Sequence, residues 1–170
     1  MKSKKIRALA LCAMFAALVF VMTYLSLPTP LVGNINLGDG AILLGAFLLG
    51  GIPGAIAGGI GATLCDIVNG YIVYAPATLL IKAGMALIAA ALAALLIRLR
   101  VGKLFALLLA SFAAEAFMVL GYFFYEAVCL SYGLAAAANI PFNAIQGGCG
   151  MVLAVLLYTV LEKSGMVRGK

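Results

Sequence analysis

An all-α polytopic membrane protein, with six transmembrane helices and both termini on the cytoplasmic side, is the fold this chain predicts. Three observations predict it. Hydrophobic residues make up 66% of the chain and charged residues only 9%, with a mean hydropathy of +1.24. A soluble domain of 170 residues has no interior large enough for that apolar surface, so lipid must be its solvent. The apolar residues fall into six stretches divided by short polar breaks. Finally, every Lys and Arg except Lys82 belongs to one of three clusters: Lys2, Lys4, Lys5 and Arg7; Arg98, Arg100 and Lys103; Lys163, Arg168 and Lys170. Six crossings bring all three clusters to one face, as expected of loops retained on the cytoplasmic side. That placement accounts for the net charge of +6 and excludes a basic nucleic-acid surface. The length leaves room for a single membrane domain, 1–170, and no appended soluble one.

The helices are expected at about 6–27, 41–52, 54–70, 76–98, 104–129 and 140–162. The first begins like a signal peptide, but its apolar run is too long for one, so it reads as a retained span. The second, at 1.5 Å per residue, covers roughly 18 Å. That is short of the ~30 Å hydrocarbon core, so it must be re-entrant or extended by its flanks. Pro53 is expected to separate it from the third helix. Gly50, Gly54, Gly58 and Ala62 recur every four residues across these two helices, and Ala13 and Ala17 do so on the first; such spacing lets backbones approach closely in lipid. The remaining loops, 28–40, about 69–76 and about 130–139, carry no cation and belong to the outer face.

Ionisable residues inside spans are costly and mark function by default. Here they are Asp66, Lys82, Glu115 and Glu126, with Asp39 just ahead of the second helix. Tyr122, Tyr125 and Glu126 share one face of the fifth helix, and Asn139, Asn143 and Gln146 share one face of the sixth. Tyr71 and Tyr74 lie in the outer loop after Asn69, and Asn36 lies in the first outer loop. All but Glu115 gather in the outer third of the membrane. Aromatic walls with a few amides and carboxylates suit a small heterocycle, stacked for affinity and hydrogen-bonded for orientation. Plainer roles exist for each. Asp39 can N-cap the second helix, Lys82 can pair with Asp66 or Glu126, the tyrosines can form an interfacial belt, and Glu115 can bond to a neighbouring helix. Cys12, Cys65, Cys129 and Cys149 match no metal spacing and read as packing residues. The absence of His removes the commonest metal ligand and general base. No metal site, cofactor or catalytic centre is expected.

The segments INLGDGAILLGAFLLGGIPGAIAGGIGA (35–62), NGYIVYAPATLLIKAG (69–84), VLGYFFYEAV (119–128) and NIPFNAIQGG (139–148) resemble the substrate-binding S components of energy-coupling factor (ECF) vitamin transporters. The closest likeness is to the riboflavin, pyridoxine and hydroxymethylpyrimidine branch. The resemblance implies a six-helix protein that captures a vitamin outside the cell with high affinity. It would then work with a transmembrane T component and two cytoplasmic ATPases. It also implies that Ala13 and Ala17 present the T-component docking surface, that 28–40 forms a lid, and that 69–76 and 130–139 complete the site. No Walker A motif occurs, which agrees with energy arriving from a partner. The lack of His speaks against nickel or cobalt as cargo, the lack of Trp against thiamin, and the lack of an outer Arg against folate. Asp39, Asp66 and Glu126 against Lys82 favour a neutral or weakly cationic ring, pyridoxine-like or hydroxymethylpyrimidine-like ahead of riboflavin. The rival reading is a self-sufficient proton- or sodium-coupled carrier using Glu115 and Glu126.

Overall fold

The computed structural model describes residues 2–28 and 34–166, with the side chains of 2–4 left aside. Six α-helices dominate it: α1 (Lys2–Tyr24), α2 (Gly38–Leu49), α3 (Gly51–Val68), α4 (Ala75–Arg98), α5 (Lys103–Phe124) and α6 (Ile140–Lys163). A π-helical turn, Tyr125–Cys129, extends α5, and a 3₁₀ segment, Gly133–Asn139, leads into α6. Five helical stretches are long and apolar enough to cross a membrane: Lys5–Tyr24, Gly51–Val68, Ala75–Arg98, Lys103–Cys129 and Gly133–Lys163. Their outward faces carry large apolar side chains such as Leu9, Leu80, Phe112 and Leu156, each at least 60% exposed, which only lipid would solvate favourably.

The sixth helix, α2, is the short one, and it is also the innermost. Every residue from Gly38 to Ala46 is buried, because α2 packs against α1, α3, α4 and α6 together. A helix covered on all sides is expected to be apolar all round, and apart from Asp39 this one is. The break after α2 differs from the sequence expectation. It lies at Gly50, whose φ of 92° is open to glycine at little cost. Pro53 falls inside the first turn of α3, where its missing N–H is of no consequence. The chain then reverses, and α3 lies so close to α2 that a Cβ on Gly54 would stand 2.8 Å from the Ala46 Cα.

Around this centre α3 packs on α1 and α4, α4 on α5, α5 on α6, and α6 on α2. Lys103 at the start of α5 forms an ion pair with Glu162 near the end of α6, and its ammonium sits 5.6 Å from the Tyr158 ring centroid. That contact places the basic loop at 99–102 and the end of α6 at one end of the bundle. At the other end the connection begins earlier than the expected 28–40: α1 stops at Tyr24, and a two-stranded antiparallel ribbon follows, β1 (Ser26–Pro28) with β2 (Asn34–Asn36), pairing Ser26 with Asn36. Strands this short carry no periodicity that a sequence can reveal. The tip at 29–33 lies outside the described residues. Two of the expected packing cysteines, Cys129 and Cys149, are exposed on the outside of the bundle, whereas Cys65 is buried.

Overpacking the α2–α3 contact should be felt. Gly54→Ala is expected to destabilise the detergent-solubilised protein by about 1–3 kcal/mol. Gly51→Ala, whose Cβ would meet the nearest side-chain atoms at an ordinary 3.5 Å, should shift stability by less than about 0.5 kcal/mol. Thermal denaturation followed by circular dichroism compares the two, and equal midpoints would contradict the close approach.

Candidate functional site: a polar cavity at one end of the bundle

The first turn of α2 carries the one charge its burial forbids unless it is paired. Asp39 is fully buried, and its carboxylate pairs with the Lys82 ammonium from α4. Gln146 Nε2 of α6 donates to Asp39 Oδ2 at 2.6 Å. The Lys82 ammonium also stands 5.3 Å from the centroid of the Tyr122 ring on α5. Desolvating two charges is repaid only when the remaining lone pairs and protons find partners, and here four helices supply them. The sequence expectation for Lys82 was a pair with Asp66 or Glu126. The structure pairs it with Asp39 instead, because α2 runs through the centre of the bundle and brings its first turn against α4. Asp39 is no helix cap either: the N-cap position is Leu37, and the Gly38 N–H is taken by Asn36 Oδ1 at 2.9 Å.

Above this pair opens a cavity of ≈ 110 Å³. It is lined by Asn36, Asp66, Asn69, Tyr71, Tyr74, Lys82, Tyr122, Glu126, Asn139, Asn143 and Gln146, together with Thr23, Asn34, Ala62, Cys65, Thr78 and Phe142. Of the residues singled out in the sequence, Asp39 and Tyr125 stand outside the lining. Asp39 lies behind Lys82 and Gln146. Tyr125 is turned away by the π turn that begins at its own position, where the wider spiral offsets residues from the α-helical face, and its hydroxyl donates to the Val73 carbonyl. Thr78 precedes Lys82 by four residues and Ala62 precedes Asp66 by four, so same-face spacing could have signalled both. Nothing local marks Thr23, Asn34 or Phe142.

The walls are held by hydrogen bonds between elements. Gln146 Oε1 accepts from both the backbone N–H and Nδ2 of Asn36, each at 3.1 Å, which ties β2 to α6. Asn34 Nδ2 reaches the Tyr71 hydroxyl at 3.4 Å. Glu126 accepts from Asn139 Nδ2 at 2.9 Å and from the Tyr74 hydroxyl at 3.4 Å. Burial first, and the Glu126 charge second, push the Tyr74 phenol up, so it stays a donor at neutral pH. Thr78 and Tyr122 share a hydroxyl–hydroxyl bond of 3.0 Å. Glu115 is not part of this lining, and the bond to a neighbouring helix expected for it is absent: its carboxyl oxygens are buried without a hydrogen-bond partner and pack against Gly147 and Gly150 of α6. No group of three or more potential metal ligands occurs among the described residues.

A buried polar cavity with aromatic walls, set into one end of an apolar helical bundle, defines a membrane protein built to hold a small polar molecule. The family model for the S component of ECF-type riboflavin transporters matches residues 3–163, and the chain belongs to that family. It is 34% identical over 173 residues to the thiamine precursor transporter HmpT of Lactococcus lactis subsp. cremoris (strain MG1363), covering 99% of this chain and 96% of the relative. Among solved structures it is similar to the S component of a bacterial ECF transporter, with a TM-score of 0.75, 25% identity, and coverage of 94% of this chain and 97% of the other. It is therefore a membrane-embedded, substrate-binding component of a vitamin transport system. Members of this family are parts of transporters and not enzymes.

The buried pair yields a direct test. Asp39→Ala leaves Lys82 without its counter-ion and should cost about 3–5 kcal/mol. Adding Lys82→Met should recover part of that loss, a coupling readable in a double-mutant cycle of thermal stability. Strict additivity of the two substitutions would show that the pair does not bear on folding.

Proposed function

We propose that this chain, as a single membrane domain of six spans with both termini cytoplasmic, captures a single-ring heterocyclic vitamin or vitamin precursor from outside the bacterial plasma membrane. The ligand is hydroxymethylpyrimidine-like or pyridoxine-like, and it is delivered inward with a T component and two cytoplasmic ATPases. The observation that carries this reading is the charge state of the cavity. Lys82 is balanced by Asp39 from behind, so the carboxylates of Asp66 and Glu126 set the charge that a ligand meets. Such a lining suits a neutral or weakly basic ring and repels a polyanion. Tyr71, Tyr74, Tyr122 and Phe142 supply aromatic faces for stacking, and Asn36, Asn69, Asn139, Asn143 and Gln146 supply amides for orientation. The relative transporting a thiamine precursor supports the pyrimidine over the larger flavin. Ala13 and Ala17 are exposed on α1 while Phe15 and Val19 face inward, which suits a docking face for the T component.

Mass spectrometry of the small molecule that copurifies in mild detergent tests the substrate class. A pyrimidine or pyridine is expected, and riboflavin would overturn the single-ring reading. Glu126→Gln should weaken ligand binding by about 1.5–3 kcal/mol, the worth of a hydrogen bond to a charged group; unchanged affinity would assign Glu126 to wall structure alone. Ala13→Leu should leave ligand affinity intact and abolish ATP-driven uptake in proteoliposomes containing the full transporter. Normal uptake would remove the docking role. Gradient-driven accumulation by the chain alone would favour a self-sufficient carrier.

A further inference from the structure

Most polar side chains of the cavity already have partners within the protein. Both oxygens of Glu126 accept, from Tyr74 and Asn139. Both ends of the Gln146 amide are engaged, with Asn36 and Asp39. Lys82 is paired with Asp39, and Tyr122 with Thr78. Asp66 is different. Thr78, which also shares a bond with Tyr122, is a hydrogen-bonding neighbour of its carboxylate, yet the Asp66 Oδ2 is buried without a partner. It lies on the cavity wall near the end of α3. A desolvated carboxylate with an unused acceptor is expensive in any interior, and more so within a membrane.

A carboxylate can only accept, so what completes this site is a donor carried by the ligand. We infer that Asp66 accepts a hydrogen bond from an exocyclic amino group on the ligand ring, which makes the preferred ligand a 4-aminopyrimidine and not its 4-oxo counterpart. An amino group presents N–H to Asp66 in a charge-assisted bond. A 4-oxo ring at the same position sets a carbonyl oxygen against the carboxylate, acceptor against acceptor, and an imide does so on both sides of its N–H. The aromatic rings of Tyr122 and Phe142 also line the cavity and supply apolar faces for the ring. This inference rests on the single-ring reading above and assigns the atom that discriminates within it.

Calorimetric titration of the purified full-length chain with 4-amino-5-hydroxymethyl-2-methylpyrimidine and with its 4-oxo analogue provides the test. Wild type should favour the amino compound by about 10- to 100-fold. Asp66→Asn, which offers both a donor and an acceptor, should bring the two affinities to within about threefold. Equal affinities in wild type, or a preference that survives Asp66→Asn, would overturn the assignment. If Asp66→Asn binds neither compound, the wild-type ratio decides. Tight binding of pyridoxine with neither pyrimidine bound would overturn the Asp66 assignment while leaving the single-ring reading intact. Tight binding of riboflavin alone would remove both.

Discussion

A carboxylate on the most deeply buried helix must find a cation inside the bundle, and the arrangement that satisfies Asp39 organises the cavity end of the molecule. Lys82 comes from α4 and Gln146 from α6, so the first turn of α2 is joined to two neighbours by polar contacts, and through the Lys82 ammonium over the Tyr122 ring to α5 as well. Apolar packing in lipid has no hydrophobic driving force between helices and is not directional. A buried ion pair with its hydrogen bonds is directional, and it fixes how far α2 penetrates and how α4 and α6 are rotated around it. The same Gln146 side chain then reaches Asn36, so the register of β2 over the cavity follows from the charge pair beneath it.

That pairing also sets the electrostatics of the cavity. Lys82 contributes to the floor, yet its charge is cancelled from behind, and the wall carboxylates determine the character of the site. Glu126 has protein donors on both oxygens, which suits a role in holding the aromatic wall together as well as in meeting a ligand. Membership of the S-component family gives this division of labour a context. A substrate-binding component of a vitamin transport system needs a preformed, oriented site. In such a site a chain of satisfied hydrogen bonds provides stiffness, while a few open groups provide selectivity.

Helical irregularity concentrates at the same end. The π turn at Tyr125–Cys129 and the 3₁₀ segment at Gly133–Asn139 flank the cavity, whereas the opposite end is closed by the Lys103–Glu162 pair between regular helices. Departures from α geometry redirect side chains that a regular spiral would place elsewhere. Glu126 faces the cavity while its neighbour Tyr125 is turned to the Val73 carbonyl.

Composition, six apolar stretches and the grouping of cations were sufficient to establish a helical membrane protein with its polar residues gathered at one end, because lipid imposes long apolar helices and charges placed inside them are rare enough to read singly. Asn139, Asn143 and Gln146, grouped by same-face spacing, all line the cavity, although Asn139 ends the 3₁₀ segment and stands at the N-cap of α6. Tertiary structure alone decided the partner of Lys82, the inward turn of α2, the break at Gly50, the ribbon at 26–36 and the exclusion of Tyr125. Each of these depends on which helices become neighbours or on a local change of helical pitch. Neither quantity is written in the spacing of residues along one segment, so the polar inventory of the site was legible in the chain, and its pairing was not.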